Sequence, residues 1–134
     1  MDLFVETGGA FPGDGYHNVL FQNPSQGNHW LGVKLVGEKT NRAAIGARIK
    51  AIAAGPEPVA VHRVVSSGSS FGANAPEQTI GLGRHDRVDT LEIHWPASNT
   101  TQVFHDLAAD QVIEMTEFAD SYRRLNRRPL PAAQ

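Results

Sequence analysis

Histidine is the first residue type whose spacing could indicate chemistry, because paired imidazoles bind metal ions. The six histidines are scattered along the chain, at His17, His29, His62, His85, His94 and His105. None is two or four positions from another, the spacings that direct two rings toward one metal from a strand or a helix. His94 shares a predicted polar strand face with Glu92, and a solvent-exposed row of side chains explains that pair. We therefore predict no metal site.

Serine is the second candidate, because the sequence SSGSSFG places four serines around a glycine, at Ser66, Ser67, Ser69 and Ser70. The G-x-S-x-G pattern of a nucleophile elbow is absent, and no histidine or lysine nearby could serve as the base of a serine nucleophile. The favoured interpretation is a turn whose hydroxyl groups bond to nearby backbone. The alternative is a polar binding loop, formed by Ser67, Ser69, Ser70 and Phe71, that suits a sugar or a peptide backbone.

Two arginines, Arg42 and Arg48, lie in or beside the strand-like sequence AIGARIK. The side chain of Arg48 points away from the apolar face of that strand, and a guanidinium group favours bidentate contact with a carboxylate. The favoured interpretation is a structural salt bridge to Asp89 or Glu92. A ligand-binding role for Arg42 and Arg48 is the alternative.

Carboxylates and tryptophans give weaker signals. Asp86 and Asp89 alternate with two arginines in RHDRVD, which indicates a turn whose charges neutralise one another. Trp95 ends an apolar strand face, and Trp30 follows His29 at the start of another strand, so we assign structural roles to Trp30, Asp89 and Trp95. A sugar-stacking role for Trp95 is the alternative. We predict no catalytic residue and no cofactor.

Composition limits the class of protein. The chain has 134 residues, of which 40% are hydrophobic and 19% charged, and its formal net charge is −2. These values fit one globular domain, and they give no reason to expect a nucleic acid or an anionic membrane as partner. There is no cysteine, which excludes disulfides and thiolate metal sites. No apolar run reaches the ~20 residues that cross a bilayer, and the first ten residues do not resemble a signal peptide.

The elements that would position these residues are strands. Short runs in which apolar and polar residues alternate are separated by glycine, proline and serine, as in LGVKLV, ARIKAIA and DTLEIHW. Alternation with a period of two places one strand face on a core and the other in water. The pattern predicts an all-β fold, an antiparallel sandwich or a partly open barrel of jelly-roll type. At most one or two helical turns are expected, at Leu107–Val112 with Asp106 as cap and, marginally, in DSYRRLNRR.

Four blocks of sequence resemble the ASPIC/UnbV domain family, named partly for the cartilage acidic proteins. They are NHWLGVKLVG, NRAAIGARIKA, VSSGSSFG and IGLGRHDRVDTLEIHWP, followed by TTQVFHDLAADQV, and they occur in the family's order. The resemblance assigns residues 28–118 to this domain. It implies that the domain follows an FG-GAP β-propeller in a secreted, periplasmic or surface protein, as in bacterial members.

The flanking segments are interpreted in the same way. Residues 1–27 contain YHNVLFQN, which is similar to the closing strand of an FG-GAP repeat, so we interpret them as a remnant of a preceding propeller. Met1 runs directly into a strand-like sequence, as expected for a fragment of a longer chain. Too few aspartates are present here for a calcium site. Residues 119–134 are predicted to be a basic, proline-containing tail.

The resemblance implies a non-catalytic binding or architectural module that packs on its own N-terminal propeller and contacts an extracellular protein or a glycan. A carbohydrate-binding module is the first alternative, and a hydrolase of unknown substrate is the second.

Overall fold

The computed structural model describes residues 2–9, 11–13, 15–24, 26–69 and 72–127. In these residues the regular elements are all strands. In chain order they are β1 (Leu3–Val5), β2 (Val19–Phe21), β3 (His29–Val36), β4 (Arg48–Ala53), β5 (Val59–Val64), β6 (Gly68–Ser69), β7 (Gly72–Ala73), β8 (Gln78–Gly83), β9 (Arg87–Trp95), β10 (Thr100–Ala108), β11 (Gln111–Thr116) and β12 (Tyr122–Leu125). The all-β prediction is confirmed.

The first of two four-stranded sheets has the order β10-β9-β4-β5, and every neighbouring pair is antiparallel. Its register places Ile49 opposite Ile93 and Ala51 opposite Leu91, so one face is continuously apolar. These residues come from the alternating runs in the sequence, because a period of two sends every second side chain to the same face. All four of them are buried.

The second four-stranded sheet has the order β12-β11-β3-β8. Its central pair, β3 and β11, is parallel, with Leu31 level with Gln111 and Thr116 level with Val36. The antiparallel arrangement that we predicted holds for the other pairs of the two four-stranded sheets but not for this one. Alternation reports which side chains share a face, but it carries no information about the direction of the neighbouring strand.

The apolar faces of the two sheets pack against each other and form one core. Its members from the second sheet include Leu31, Val33, Ile80 and Ile113, and Trp95 contributes the largest side chain from the first. Burying an aliphatic or aromatic side chain of this size stabilises a fold by about 2 kcal/mol. This sandwich gives each sheet one outer face, and these outer faces carry the polar side chains considered below.

Two segments differ from the local expectations. The stretch predicted to form a helical turn at Leu107–Val112 instead joins β10 to β11 through Ala109 and Asp110, and Asp106 lies within β10 with a positive φ of 55°. Residues Tyr122–Leu125, expected in a basic tail with marginal helical character, form β12 and pair antiparallel with β11. Tertiary pairing overrides a weak local preference in both places.

The N-terminal strands form a separate two-stranded sheet, in which Leu3 pairs with Phe21, Phe4 with Leu20 and Val5 with Val19. We call residues 3–5 and 19–21 the N-terminal hairpin. Five of its six side chains are exposed, all of them apolar. No helix in the described residues is long and apolar enough to cross a membrane.

Candidate binding surfaces

Trp30 lies on the outer face of the second sheet, where 39% of its surface is exposed, so it does not belong to the core. Its cross-strand neighbour on β8 is Gly81, and Gly32 follows it on the same face of β3. A Cβ atom at Gly32 would lie 2.9 Å from Val112 Cγ2 and 3.4 Å from Trp30 Cζ3. The indole and Val112 therefore fill the space above Gly32. A Cβ atom at Gly81 would meet nothing within 4 Å.

Asp110 fixes the strand end that carries Trp30. The Asp110 amide donates to the Trp30 carbonyl at 2.7 Å, and the Trp30 amide donates to Asp110 Oδ1 at 3.3 Å. His29 Nδ1 lies 2.6 Å from Asp110 Oδ2. The backbone of Asp110 has a positive φ of 56°, which short polar residues tolerate best. The β10–β11 turn thereby holds the Trp30 backbone in place.

A groove of about 630 Å³ borders Trp30. We call it the Trp30 groove. Its apolar part consists of Pro24, Trp30, Gly81 and Val112. Its polar side chains come from the residue before β1, the segment between β2 and β3, the start of β3, the loop before β8 and β8 itself: Asp2, Asn23, Gln26, Asn28, His29, Glu77 and Thr79. The groove thus combines one partly exposed indole with amide, hydroxyl and carboxylate groups.

Arg48 occupies the outer face of the first sheet, opposite His94 on β9 and Val64 on β5. The predicted salt bridge to Asp89 or Glu92 is wrong. Glu92 pairs with Lys50 at 3.3 Å, and Asp89 Oδ2 accepts a hydrogen bond from the Ala54 amide at 2.6 Å. The strand register explains this, because Glu92 lies directly opposite Lys50. Arg48, Lys50, His62 and His94 border a shallow depression of about 290 Å³.

Arg42 is close to Arg48 in the sequence, but the two side chains lie on different surfaces of the domain. Arg42 borders a cleft of about 570 Å³ with Glu77, Glu114 and Arg123. In the described residues Arg42 forms no salt bridge, whereas Glu114 is bound by Lys34 at 2.9 Å and by Arg123 at 2.6 Å. Hydrogen bonds from these two cations outweigh partial burial and lower the Glu114 pKa. The structure therefore does not bring Arg42 and Arg48 together.

The serine-rich segment forms the short hairpin β6–β7. The Asn74 amide donates to the Ser67 carbonyl at 3.2 Å, and Asn74 Nδ2 donates to the Gly68 carbonyl at 3.0 Å. The turn is thus held by backbone groups and by Asn74, while the Ser67 hydroxyl has no hydrogen-bond partner in the described part of the chain. Ser69 belongs to β6. The predicted binding residues Ser70 and Phe71 lie outside the described residues.

The other two residues assigned structural roles are Asp89 and Trp95. Trp95 is fully buried in the core, which removes it as a sugar-stacking surface. Asp89 caps the end of β4 through the Ala54 amide. The charges of RHDRVD, however, do not neutralise one another: Arg87 pairs with Asp106 at 3.3 Å, and Arg84 donates to the Gly27 carbonyl at 3.2 Å.

Glu117 is a buried carboxylate that the sequence reasoning missed. It is 1% exposed and accepts four hydrogen bonds: from the Glu38 amide at 2.8 Å, the Thr40 amide at 2.7 Å, the Thr40 hydroxyl at 2.9 Å and the Ser98 hydroxyl at 2.7 Å. Burial alone would raise its pKa, but these bonds outweigh it and lower the pKa to about 2.

A carboxyl group with so low a pKa stays ionised at neutral pH, so it is a poor proton donor or acceptor for catalysis. It joins the loop after β3, the β9–β10 turn and the end of β11, which is a structural role. No group of three or more histidine, aspartate or glutamate side chains in the described residues is arranged to hold a metal ion.

Comparison with known proteins gives one positive result. No curated protein and no solved structure shows significant similarity to the chain. The sequence model of the family described as "ASPIC and UnbV" matches residues 37–121, which span β4 to β11 with the loop that Glu117 closes. The match covers more than half of the chain, and the chain therefore belongs to the ASPIC and UnbV family.

Proposed function

We propose that this domain is a non-catalytic binding and architectural module that packs against a β-propeller through its N-terminal hairpin. The observation that carries the proposal is the exposure of that hairpin: Phe4 is 61% exposed and Leu20 is 57% exposed, although they form a cross-strand pair. An isolated two-stranded hairpin is marginally stable in water, and a cluster of exposed apolar side chains is typical of an interaction surface.

The polar contacts of the hairpin strengthen this argument. The Thr7 amide donates to Asn18 Oδ1 at 3.2 Å, and the Asn23 amide donates to Asp2 Oδ1 at 2.9 Å. Hydrogen bonds therefore close the hairpin at both ends, while five of the six apolar side chains between them are exposed. The partner that we propose is a preceding propeller. This choice rests on the similarity of YHNVLFQN to the closing strand of an FG-GAP repeat. The hairpin would complete or cap its last blade.

A non-catalytic role is supported by what the candidate groups do. Asp89 and Glu117 accept backbone hydrogen bonds, and Glu92 and Glu114 are held by cations. Among the described residues no hydrogen bond joins a serine of the β6–β7 hairpin to a histidine or a carboxylate. A hydrolase would require a concave site with an oriented acid and base. The proposal places the full-length protein outside the cytoplasm of a bacterium, as the family resemblance implies.

The test is amide hydrogen exchange on the 134-residue chain and on the same chain joined to the propeller that the proposal places before it. Docking is expected to slow exchange at Phe4 and Leu20 in the joined protein, because burial protects their amides. The variant Phe4→Ser/Leu20→Ser should restore fast exchange. Val64→Ser, which changes an exposed apolar residue of the first sheet, is the matched control. Equal exchange with and without the propeller contradicts the proposal.

A further inference from the structure

The Trp30 groove lies beside one end of the N-terminal hairpin, where Asp2 and Asn23 border it, but none of the six hairpin residues lines it and its composition differs from that of a protein-docking patch. It has one partly exposed indole and a glycine, and the rest of its lining is polar or acidic apart from His29, Pro24 and Val112. Its volume of about 630 Å³ lies within the ~300–1,000 Å³ typical of small-ligand sites. We propose that the Trp30 groove binds a neutral carbohydrate, with a pyranose ring packed on the Trp30 indole.

The first argument is the shape of the apolar part. On one side the indole packs with Val112 above Gly32, so its position is set by the protein. On the other side Gly81 has no side chain, and the space where its Cβ would point is open. A flat ligand can therefore enter beside the ring over Gly81. The C–H face of a pyranose is flat and apolar, and an aromatic ring that is partly exposed offers it a matching surface.

The second argument is the supply of polar groups. The side chains of Gln26, Asn28 and Thr79 border the groove and make no hydrogen bond with any other described residue. They present amide and hydroxyl groups that both donate and accept, as sugar hydroxyls do. In a groove that already carries the apolar surface, these groups would provide orientation and specificity.

The third argument is charge, which selects among carbohydrates. Asp2 and Glu77 are the carboxylates of the lining, and no lysine or arginine belongs to it among the described residues. Glu77 is paired with Arg127, which lies outside the groove, so Asp2 carries the lining's negative charge that no described cation neutralises. The imidazole in the lining, His29, is bound to Asp110. A sulfated or carboxylated sugar would meet the Asp2 carboxylate and would find no lysine or arginine of the described lining to pair with, so the ligand class is neutral. The outer face of the first sheet, with Arg48 and Lys50, would favour the opposite class.

The fourth argument is rigidity. Trp30 lies on a central strand, and Asp110 holds its amide and its carbonyl by separate hydrogen bonds. A preorganised aromatic side chain loses little conformational freedom when a ligand binds. This proposal goes beyond the docking role, since neither Phe4 nor Leu20 contributes to the groove lining.

The experiment is affinity electrophoresis of the purified chain in native gels that contain a neutral polysaccharide (xylan, glucomannan or dextran) or an anionic one (alginate or heparin). Binding is expected to slow migration in at least one neutral gel, and titration with the matching oligosaccharide then gives Kd. Trp30→Ala should weaken Kd by about tenfold or more, the scale of losing one anchoring aromatic side chain.

Gly81→Val provides a second variant that is independent of the indole. The added side chain points into open space, so it should block the groove without straining the fold. Val103→Ala, at an exposed position of the first sheet, is the matched control and should leave Kd unchanged. Circular dichroism must show native β structure in all three variants.

Any of three outcomes overturns the proposal. The first is that no neutral polysaccharide slows migration, and the second is that Trp30→Ala and Gly81→Val both leave binding intact. The third is that only the alginate and heparin gels slow migration. The hairpin variant Phe4→Ser/Leu20→Ser separates this proposal from the docking role. It should abolish protection by the propeller and leave sugar binding intact, so either proposal can fail without the other.

Discussion

Replacing Glu117 with glutamine tests how much one buried carboxylate contributes to this fold. The wild-type carboxylate accepts four hydrogen bonds, two at each oxygen. Glutamine can keep its oxygen for the Glu38 and Thr40 amides and donate through its NH2 group to the Thr40 and Ser98 hydroxyls, which accept as well as donate. The four bonds then lose their charge, and hydrogen bonds to a charged group are stronger than neutral ones by about 1 kcal/mol each, so we expect Glu117→Gln to reduce the free energy of unfolding by about 3 kcal/mol at pH 7.

The pH dependence gives an independent estimate of the same quantity. The Glu117 pKa falls from its usual 4.5 to about 2 in the folded protein. At about 1.4 kcal/mol for each pH unit, that difference corresponds to about 3 kcal/mol. Because the folded pKa is the lower one, this stability is fully present above pH 4.5 and is lost as the pH falls toward 2. The variant lacks the titrating group and should not show this loss.

The assay is urea unfolding followed by circular dichroism at pH 7, 5, 3.5 and 2, for the wild type, Glu117→Gln and the control Glu57→Gln, which changes an exposed carboxylate. Glu114 also has a lowered pKa, but it is present in all three proteins and cancels from the comparison. The curves for the wild type and Glu117→Gln should converge as the pH falls. If they stay parallel from pH 7 to pH 2, the assigned role of Glu117 is refuted.

Three further changes have expected outcomes that thermal or urea unfolding can check. Gly37→Ala would place a Cβ 2.2 Å from the Asn41 carbonyl oxygen, and we expect a loss of about 2 kcal/mol because the Glu117-bound loop must shift; an unchanged melting temperature would contradict this. Trp95→Ala empties a fully buried site and should cost about 3–5 kcal/mol, which a loss below 1 kcal/mol would exclude. Glu114→Gln weakens two ion pairs with exposed cationic partners, so its effect should stay near 1 kcal/mol and shrink in 1 M salt.

The sequence predicted the faces of the strands well, because alternation directly reports burial. In the run ARIKAIA the alternation places Ala47, Ile49, Ala51 and Ala53 on one face, and all four are buried. Continued backwards, the same alternation would include Ile45, which is 41% exposed because β4 begins only at Arg48. Which strands pair with each other was harder to predict from the sequence. The parallel β3–β11 pair joins residues far apart in sequence, and no local signal encodes such a pairing.

The candidate site was harder to predict for a related reason. Trp30 was assigned a structural role, because a tryptophan in an apolar strand is more often buried than exposed. Its exposure depends on Gly81, a neighbour on another strand, and on the turn at Asp110. Glu117 gave no signal at all, since its four donors come from two loops that are far from it in sequence. The sequence held only a partial indication of the Glu117 site, namely Gly37 and Thr40, which form the loop that encloses the Glu117 carboxylate.

The parallel pairing of β3 and β11 also constrains how the chain can fold. Leu31 pairs with Gln111, eighty positions later, so one edge of β3 stays open until nearly the whole domain has been synthesised. Closing so long a loop is entropically costly, and contacts of this range are associated with slow folding. During that interval the exposed strand edge can pair with another molecule. We therefore expect deletions that remove β11 to yield aggregated chains rather than a smaller stable domain.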